Sequence, residues 1–176
     1  MKKHLFLLGL LLIIGCNNNT KQPEKIAEKT KDKSQRYFSL ERVAELKKRC
    51  VENGDKEAFG NLVDHYYNTR FEYYELLPIS IIMADKHNCD NARVAIYFWF
   101  LEMQNEGRDE KQFFKLDKSK QDFILKYLMD GAKNKSPGCL GILNTLLQNG
   151  LKMEKDKEVE IKEAYKKTTA NSGYPL

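Results

Sequence analysis

Asn53-Gly54-Asp55-Lys56-Glu57-Ala58, Asn88-Cys89-Asp90-Asn91-Ala92, Asn134-Lys135-Ser136-Pro137-Gly138-Cys139 and Asn171-Ser172-Gly173-Tyr174-Pro175 read as four versions of one turn. Their leading asparagines recur at intervals of 35, 46 and 37 residues. The long middle interval holds a charged stretch at 106–117, an insertion of about the right size. A period in the middle thirties signals stacked helical hairpins, none of which can bury its apolar face alone. Asn149-Gly150-Leu151, ahead of Glu154-Lys155-Asp156, falls where one hairpin hands over to the next. The reading is an all-α chain, a short α-solenoid of three to four stacked antiparallel hairpins.

The segments between these turns carry helical periodicity, and none alternates in the manner of a strand bounded by hairpin turns. A first helix opens at Ser39 as N-cap and carries Leu40, Val43, Ala44 and Leu46 toward the Asn53-Gly54 stop. The second spans about Asp55 to Asn68, with Ala58, Phe59, Leu62, Val63, Tyr66 and Tyr67 at one-face spacing. The third spans Tyr73 to His87, where Pro78 either starts the helix or kinks it, because proline lacks the amide donor needed further in. Asp90 to Asn105 is the fourth and most apolar, followed by a charged loop from Glu106 to Asp117. Further helices are expected over Lys118–Lys133, Pro137–Asn149 and Lys157–Ala170.

Ahead of the helices, Lys2 and Lys3 precede an apolar run from Leu5 to Ile14 that ends in Gly15-Cys16. Its ten residues fall short of the roughly 20 that a spanning helix needs, so residues 1–15 read as a removable signal peptide. Ile13-Ile14-Gly15-Cys16 resembles the lipobox of bacterial lipoproteins, which implies a lipidated Cys16 as the first mature residue. Several acyl chains on one cysteine hold firmly, since each buried methylene adds about 0.8 kcal/mol. Asn17 after the cysteine resembles an outer-membrane sorting signal, implying an envelope protein facing the periplasm. Residues 16–37 read as a lipidated cysteine and flexible tether, with six basic residues against three acidic ones and little to bury. The tether is a solvated spacer or rests on anionic headgroups.

Residues 38–176 are long enough for one domain with a core. The chain has 30 Lys and Arg against 25 Asp and Glu; loss of Lys2 and Lys3 with the leader leaves 28 against 25, or +3. That is not a nucleic-acid footprint. Cys50, Cys89 and Cys139 are an odd number without a Cys-x-x-Cys pair, so they are buried thiols or hold at most one disulfide.

Catalytic patterns are sparse. His65 and His87 are the mature histidines, and His87-Asn88-Cys89 offers two metal ligands where zinc wants three or four. A histidine favoured by the dipole at a helix end is the simpler reading. Cys89 in a repeat turn reads as a packing residue rather than a nucleophile, and pairs such as Glu72 with Glu75 or Asp109 with Glu110 are ordinary surface carboxylates. No enzyme activity, metal or cofactor is expected. Binding is better supported. The fourth helix is apolar nearly all round, Ala92, Ala95, Ile96, Trp99 and Met103 on one face and Val94, Tyr97, Phe98 and Leu101 on another, so it is covered by neighbouring hairpins or lines a groove. Tyr66, Tyr67, Tyr73 and Tyr74, with Tyr97 and Phe98, are the candidate partner-binding residues, with core packing as the alternative for each.

Tyr127-Leu128-Met129-Asp130-Gly131-Ala132 through Leu146-Leu147-Gln148-Asn149-Gly150, and Tyr165 to Pro175, resemble tetratricopeptide-type repeats of the Sel-one-like kind. The family's small residue in the second helix of each hairpin stands here as Ala58, Ala92 and Cys139, while several of its other alanines and glycines are replaced. The resemblance implies an α-solenoid that binds other proteins without chemistry of its own. Similar envelope lipoproteins include immunity proteins against secreted toxins, so a protein partner, possible toxins among them, is implied. An adaptor or assembly factor of an outer-membrane complex is the alternative, and a small envelope hydrolase the remote one.

Overall fold

A computed structural model describes residues 38–69, 73–103 and 109–172. The expected signal peptide at 1–15, Cys16 and the expected tether to residue 37 lie outside the described residues, as do residues 173–176. Seven α-helices are described: α1 (Leu40–Asn53), α2 (Lys56–Thr69), α3 (Leu76–Asp85), α4 (Asp90–Glu102), α5 (Lys118–Lys133), α6 (Pro137–Gln148) and α7 (Lys155–Ser172). Short 3-10 turns at Tyr73–Glu75 and Glu110–Lys115 precede α3 and α5. The described residues are all-helical and contain no strand, and none of their helices is long and apolar enough to cross a membrane. The helices pack in adjacent pairs as a short solenoid, with α2 also on α4 and α4 on α6.

Each hairpin turn obeys one backbone rule. Gly54, Asn88 and Lys135 take positive φ of 65°, 49° and 59°, which turns the chain out of the first helix of each pair. The next residue caps the second helix: Asp55 Oδ1 accepts from the Ala58 amide at 2.9 Å, and Ser136 Oγ from the Cys139 amide at 3.5 Å. Cys89 holds the same place with only its backbone carbonyl, which accepts from the Ala92 amide at 3.1 Å. The left-handed residue is the true point of repetition, at intervals of 34 and 47 residues. The asparagines track it within one residue, because Asn88 is itself left-handed while Asn53 and Asn134 stand just before that position. Asparagine tolerates this region better than most side chains. Of the fourth expected turn, Asn171 and Ser172 continue α7, and Gly173-Tyr174-Pro175 lie outside the described residues.

Four residues to either side of each left-handed position stand small residues: Cys50 and Ala58, Ala84 and Ala92, Gly131 and Cys139, six positions whose small size lets paired helices cross closely. Glycine is required at the third crossing, where a Cβ on residue 131 would lie 2.8 Å from Cys139 Cβ. The three cysteines are free and buried, resolving the two readings in favour of packing thiols. Burial lifts the Cys50 thiol to about 11.

Lys86 and His87 at the end of α3 both reach the Val51 carbonyl near the end of α1, so these two helices run parallel. The solenoid thus has a turn end, carrying the three hairpin turns, and a loop end, where α1, α3, α5 and α7 begin and α2, α4 and α6 finish. Two apolar cores lie between: Leu46, Phe59, Leu62, Leu76, Met83 and Ile96 in the first, and Leu101, Phe113, Ile124, Leu128, Leu143 and Leu146 in the second. Helix α4 serves both, giving Ala92, Ala95 and Ile96 to one and Tyr97 and Leu101 to the other, which is why it is apolar nearly all round.

Pro78 stands in the first turn of α3, where its missing amide costs nothing. The insertion is not simply a charged loop. Residues 110–115 form a 3-10 turn that buries Phe113, whose ring lies 6.4 Å from that of Tyr97, and Gln112 beside it.

Candidate functional site

Where α2 passes α4, the second helices of two successive hairpins leave a groove of about 300 Å³. Phe59 and Ala95 are its buried floor, Val63 and Tyr67 one wall, and Val94 and Phe98 the other. Asp64 and Asn91 supply polar groups to an otherwise apolar lining. The groove stays open because of Gly60: a Cβ built there meets nothing within 4 Å. The next seam is tighter at the equivalent position. Val94 holds in α4 the repeat position that Gly60 holds in α2, and it packs against α6 so tightly that a Cβ on Gly138 would lie 2.9 Å from Val94 Cγ2.

The six aromatic candidates divide. Tyr67 and Phe98 face each other across the groove as lining residues. Tyr74 is 63% exposed but stands outside it. Tyr66, Tyr73 and Tyr97 are core residues, which decides for core packing over partner binding at these three candidates. Tyr66 is drawn inward by its hydroxyl, which donates to Glu75 Oε2 at 2.8 Å. The Lys47 ammonium donates to the same oxygen, and this bond foremost holds the Glu75 carboxyl below its ordinary value. Tyr73 is roofed by Trp99, whose indole N–H donates to the Tyr73 carbonyl at 2.9 Å. Tyr97 lies against Phe98 and Phe113, and burial pushes its hydroxyl well above the usual tyrosine range.

A second, polar hollow of about 410 Å³ opens at the turn end between the second and third hairpins. Its centre is Arg93, a buried cation in an apolar helix. The guanidinium donates to Asp90 Oδ1 at 2.7 Å and to Asn88 Oδ1 at 2.6 Å. Asn134 of the third turn donates to the same Asn88 oxygen at 2.9 Å, and the Tyr127 hydroxyl donates to Asp85 Oδ2 at 3.0 Å. Burial first, then Asp85, raises Tyr127 to about 12. Two of the recurring asparagines thus join neighbouring repeats, around a buried Arg93 that is ion-paired with Asp90. Arg93 went unnoticed in the sequence; its signal was a lone cation in an apolar helix, three residues after an aspartate.

His87 lies over Gly54, where a Cβ would meet its Nδ1 at 2.5 Å, and its Nε2 bonds the Val51 carbonyl at 3.0 Å. This is a packing role between turns. Among the described residues no group of three or more His, Cys, Asp and Glu side chains is placed to hold a metal ion.

No protein-family model matches the chain, and the searches of curated proteins and of solved structures likewise return no match.

Proposed function

We propose that this chain is an envelope lipoprotein, tethered through Cys16 to the outer membrane and facing the periplasm, whose Sel-one-like helical-repeat domain binds a protein partner. The observation that carries the reading is the α2–α4 groove, an apolar slot flanked by Asp64 and Asn91, where the hollow between the second and third hairpins is polar. Its volume suits one or two apolar side chains, and Asp64 favours a cation or hydrogen-bond donor beside them. A buried apolar anchor with polar contacts around it is the common design of a protein interface. Occlusion of a secreted toxin, as by an immunity protein, is the form of binding the family likeness favours; service as adaptor or assembly factor in an outer-membrane complex uses the same groove.

The test is affinity capture from detergent-solubilised native membranes with wild-type protein and with Gly60→Trp, which fills the groove from a position with room for a side chain. A protein enriched by wild type and lost with Gly60→Trp supports the reading and identifies the partner. Equal capture by both proteins removes the groove from the interaction.

A further inference from the structure

The two ends of the solenoid differ in what they show to solvent. Leu40, Tyr74, Met103, Phe114 and Val159 are the large apolar side chains that stand exposed among the described residues, Leu40 at 76% and Tyr74 at 63%. All five belong to the loop end. Leu40 opens α1 and Val159 lies in the second turn of α7, Tyr74 just before α3, Met103 just after α4, and Phe114 in the 3-10 turn that leads to α5. The turn end carries none of them; its surface is the polar network around Asn88, Asn134 and Arg93. Single exposed apolar side chains are ordinary, but their segregation to one end of a solenoid calls for a cause.

The chain joins the domain at this same end. Phe38 stacks on His65 near the end of α2, with ring centroids 5.5 Å apart, directly ahead of Leu40. The sequence places 21 residues between Cys16 and Phe38. A flexible chain of that length spans about 25 Å. Lipid on Cys16 would hold the apolar end close to the bilayer, at an effective concentration where weak contacts suffice. Tyrosine and other amphipathic side chains favour the headgroup level, and the six basic residues of 17–37 suit an anionic surface on the way there.

We propose that the loop end is a membrane-facing surface, resting Leu40, Tyr74, Met103, Phe114 and Val159 on the phospholipid interface while the turn end points away from it. This rests on the lipid-anchor reading above and adds an orientation to it.

Trp99, the single tryptophan of the chain, lies at this end against Tyr73 and reports on it. The full lipidated protein is reconstituted into phosphatidylcholine and phosphatidylglycerol vesicles, with and without brominated acyl chains, whose bromines quench indole emission at short range. Anchoring is scored separately by vesicle flotation, with Cys16→Ala as control. The expected result is loss of Trp99 emission in brominated vesicles for the wild type and for Tyr74→Phe/Met103→Leu. Emission is restored in Tyr74→Asp/Met103→Glu, a variant of two exposed positions whose helical circular dichroism should be unchanged. Equal emission in both vesicle types from protein that floats overturns the proposal and leaves the anchor standing. Failure of the wild type to float overturns the anchor and the proposal with it. If quenching is absent and sedimentation shows a dimer that Tyr74→Asp/Met103→Glu dissociates, the surface belongs to a second copy instead.

Discussion

The turn end and the loop end use different means to stay ordered. At the turn end every hairpin repeats one geometry: a left-handed residue, a cap, and two small residues that bring paired helices close. Neighbouring turns are tied by Arg93, Asn88 and Asn134. At the loop end the connections differ in length and form, and order comes from aromatic packing, with Tyr73 on Trp99, Trp99 on Phe100 and Phe100 on Phe123. Repetition and tight tolerance thus sit at one end, and variation with exposed apolar surface at the other. In a solenoid this division leaves one end free to vary without disturbing the stack.

The contrast can be broken or sharpened by substitution. The largest effect is expected for Gly131→Leu, which drives a side chain into Cys139 at the third crossing; overpacking of this kind costs about 3 kcal/mol and should lower the urea midpoint without changing its slope. Arg93→Leu comes next, at about 2 kcal/mol, since it removes the donors from Asn88 and Asp90 and loosens the second hairpin from the third. A cycle with Asn134→Ala should show coupling between the two turns, and simple additivity would refute the tie.

Gly60→Ala should move stability the other way, raising it by about 0.5–1 kcal/mol, because the helix gains and the added methyl meets open space. At the loop end Tyr74→Asp and Met103→Glu should each change stability by less than about 0.5 kcal/mol, as exposed positions do. A larger loss would mean the apolar side chains there serve the fold and not an external surface.

The smallest effect concerns acid. Asp55 at the turn end is held below its ordinary value first by the Ala58 amide and then by Arg49, and Glu75 at the loop end first by Lys47. Groups depressed in the folded state contribute stability that is fully present above the unfolded values, near 4, and is lost as pH falls through the folded ones. The difference between wild type and Asp55→Asn or Glu75→Gln should therefore be full at pH 7 and shrink toward pH 3 in urea titrations.

Much of the fold was legible in the sequence because helices announce themselves twice, by apolar period and by caps. Ser39, Gly54 and Pro137 marked boundaries that the helices keep, and Lys118–Lys133 has the bounds expected of it. The misses share a physical source. The insertion reads as charged because Lys and Glu outnumber its two phenylalanines, yet one buried ring is enough to fold a turn onto the core. The tyrosines could not be sorted, since a phenol packs equally well in a core with a partner or at a rim with water, and Glu75, which decides for Tyr66, lies nine residues away. Tyr67 and Phe98 came into view as groove walls only with the neighbouring helix in place. The groove itself depends on Gly60, which a periodicity reading passes over as a weak helix residue.

The sharing of α4 between the two cores has a kinetic corollary. A solenoid whose repeats met only at their edges would open hairpin by hairpin, whereas here neither core can exchange its amides with solvent through global opening unless the helix that serves both lets go. Deuterium uptake should accordingly begin in α7, among whose described side chains Ile161 alone is deeply buried, and reach α4 last, so that the slowest-exchanging amides of the described residues mark the helix that both cores share.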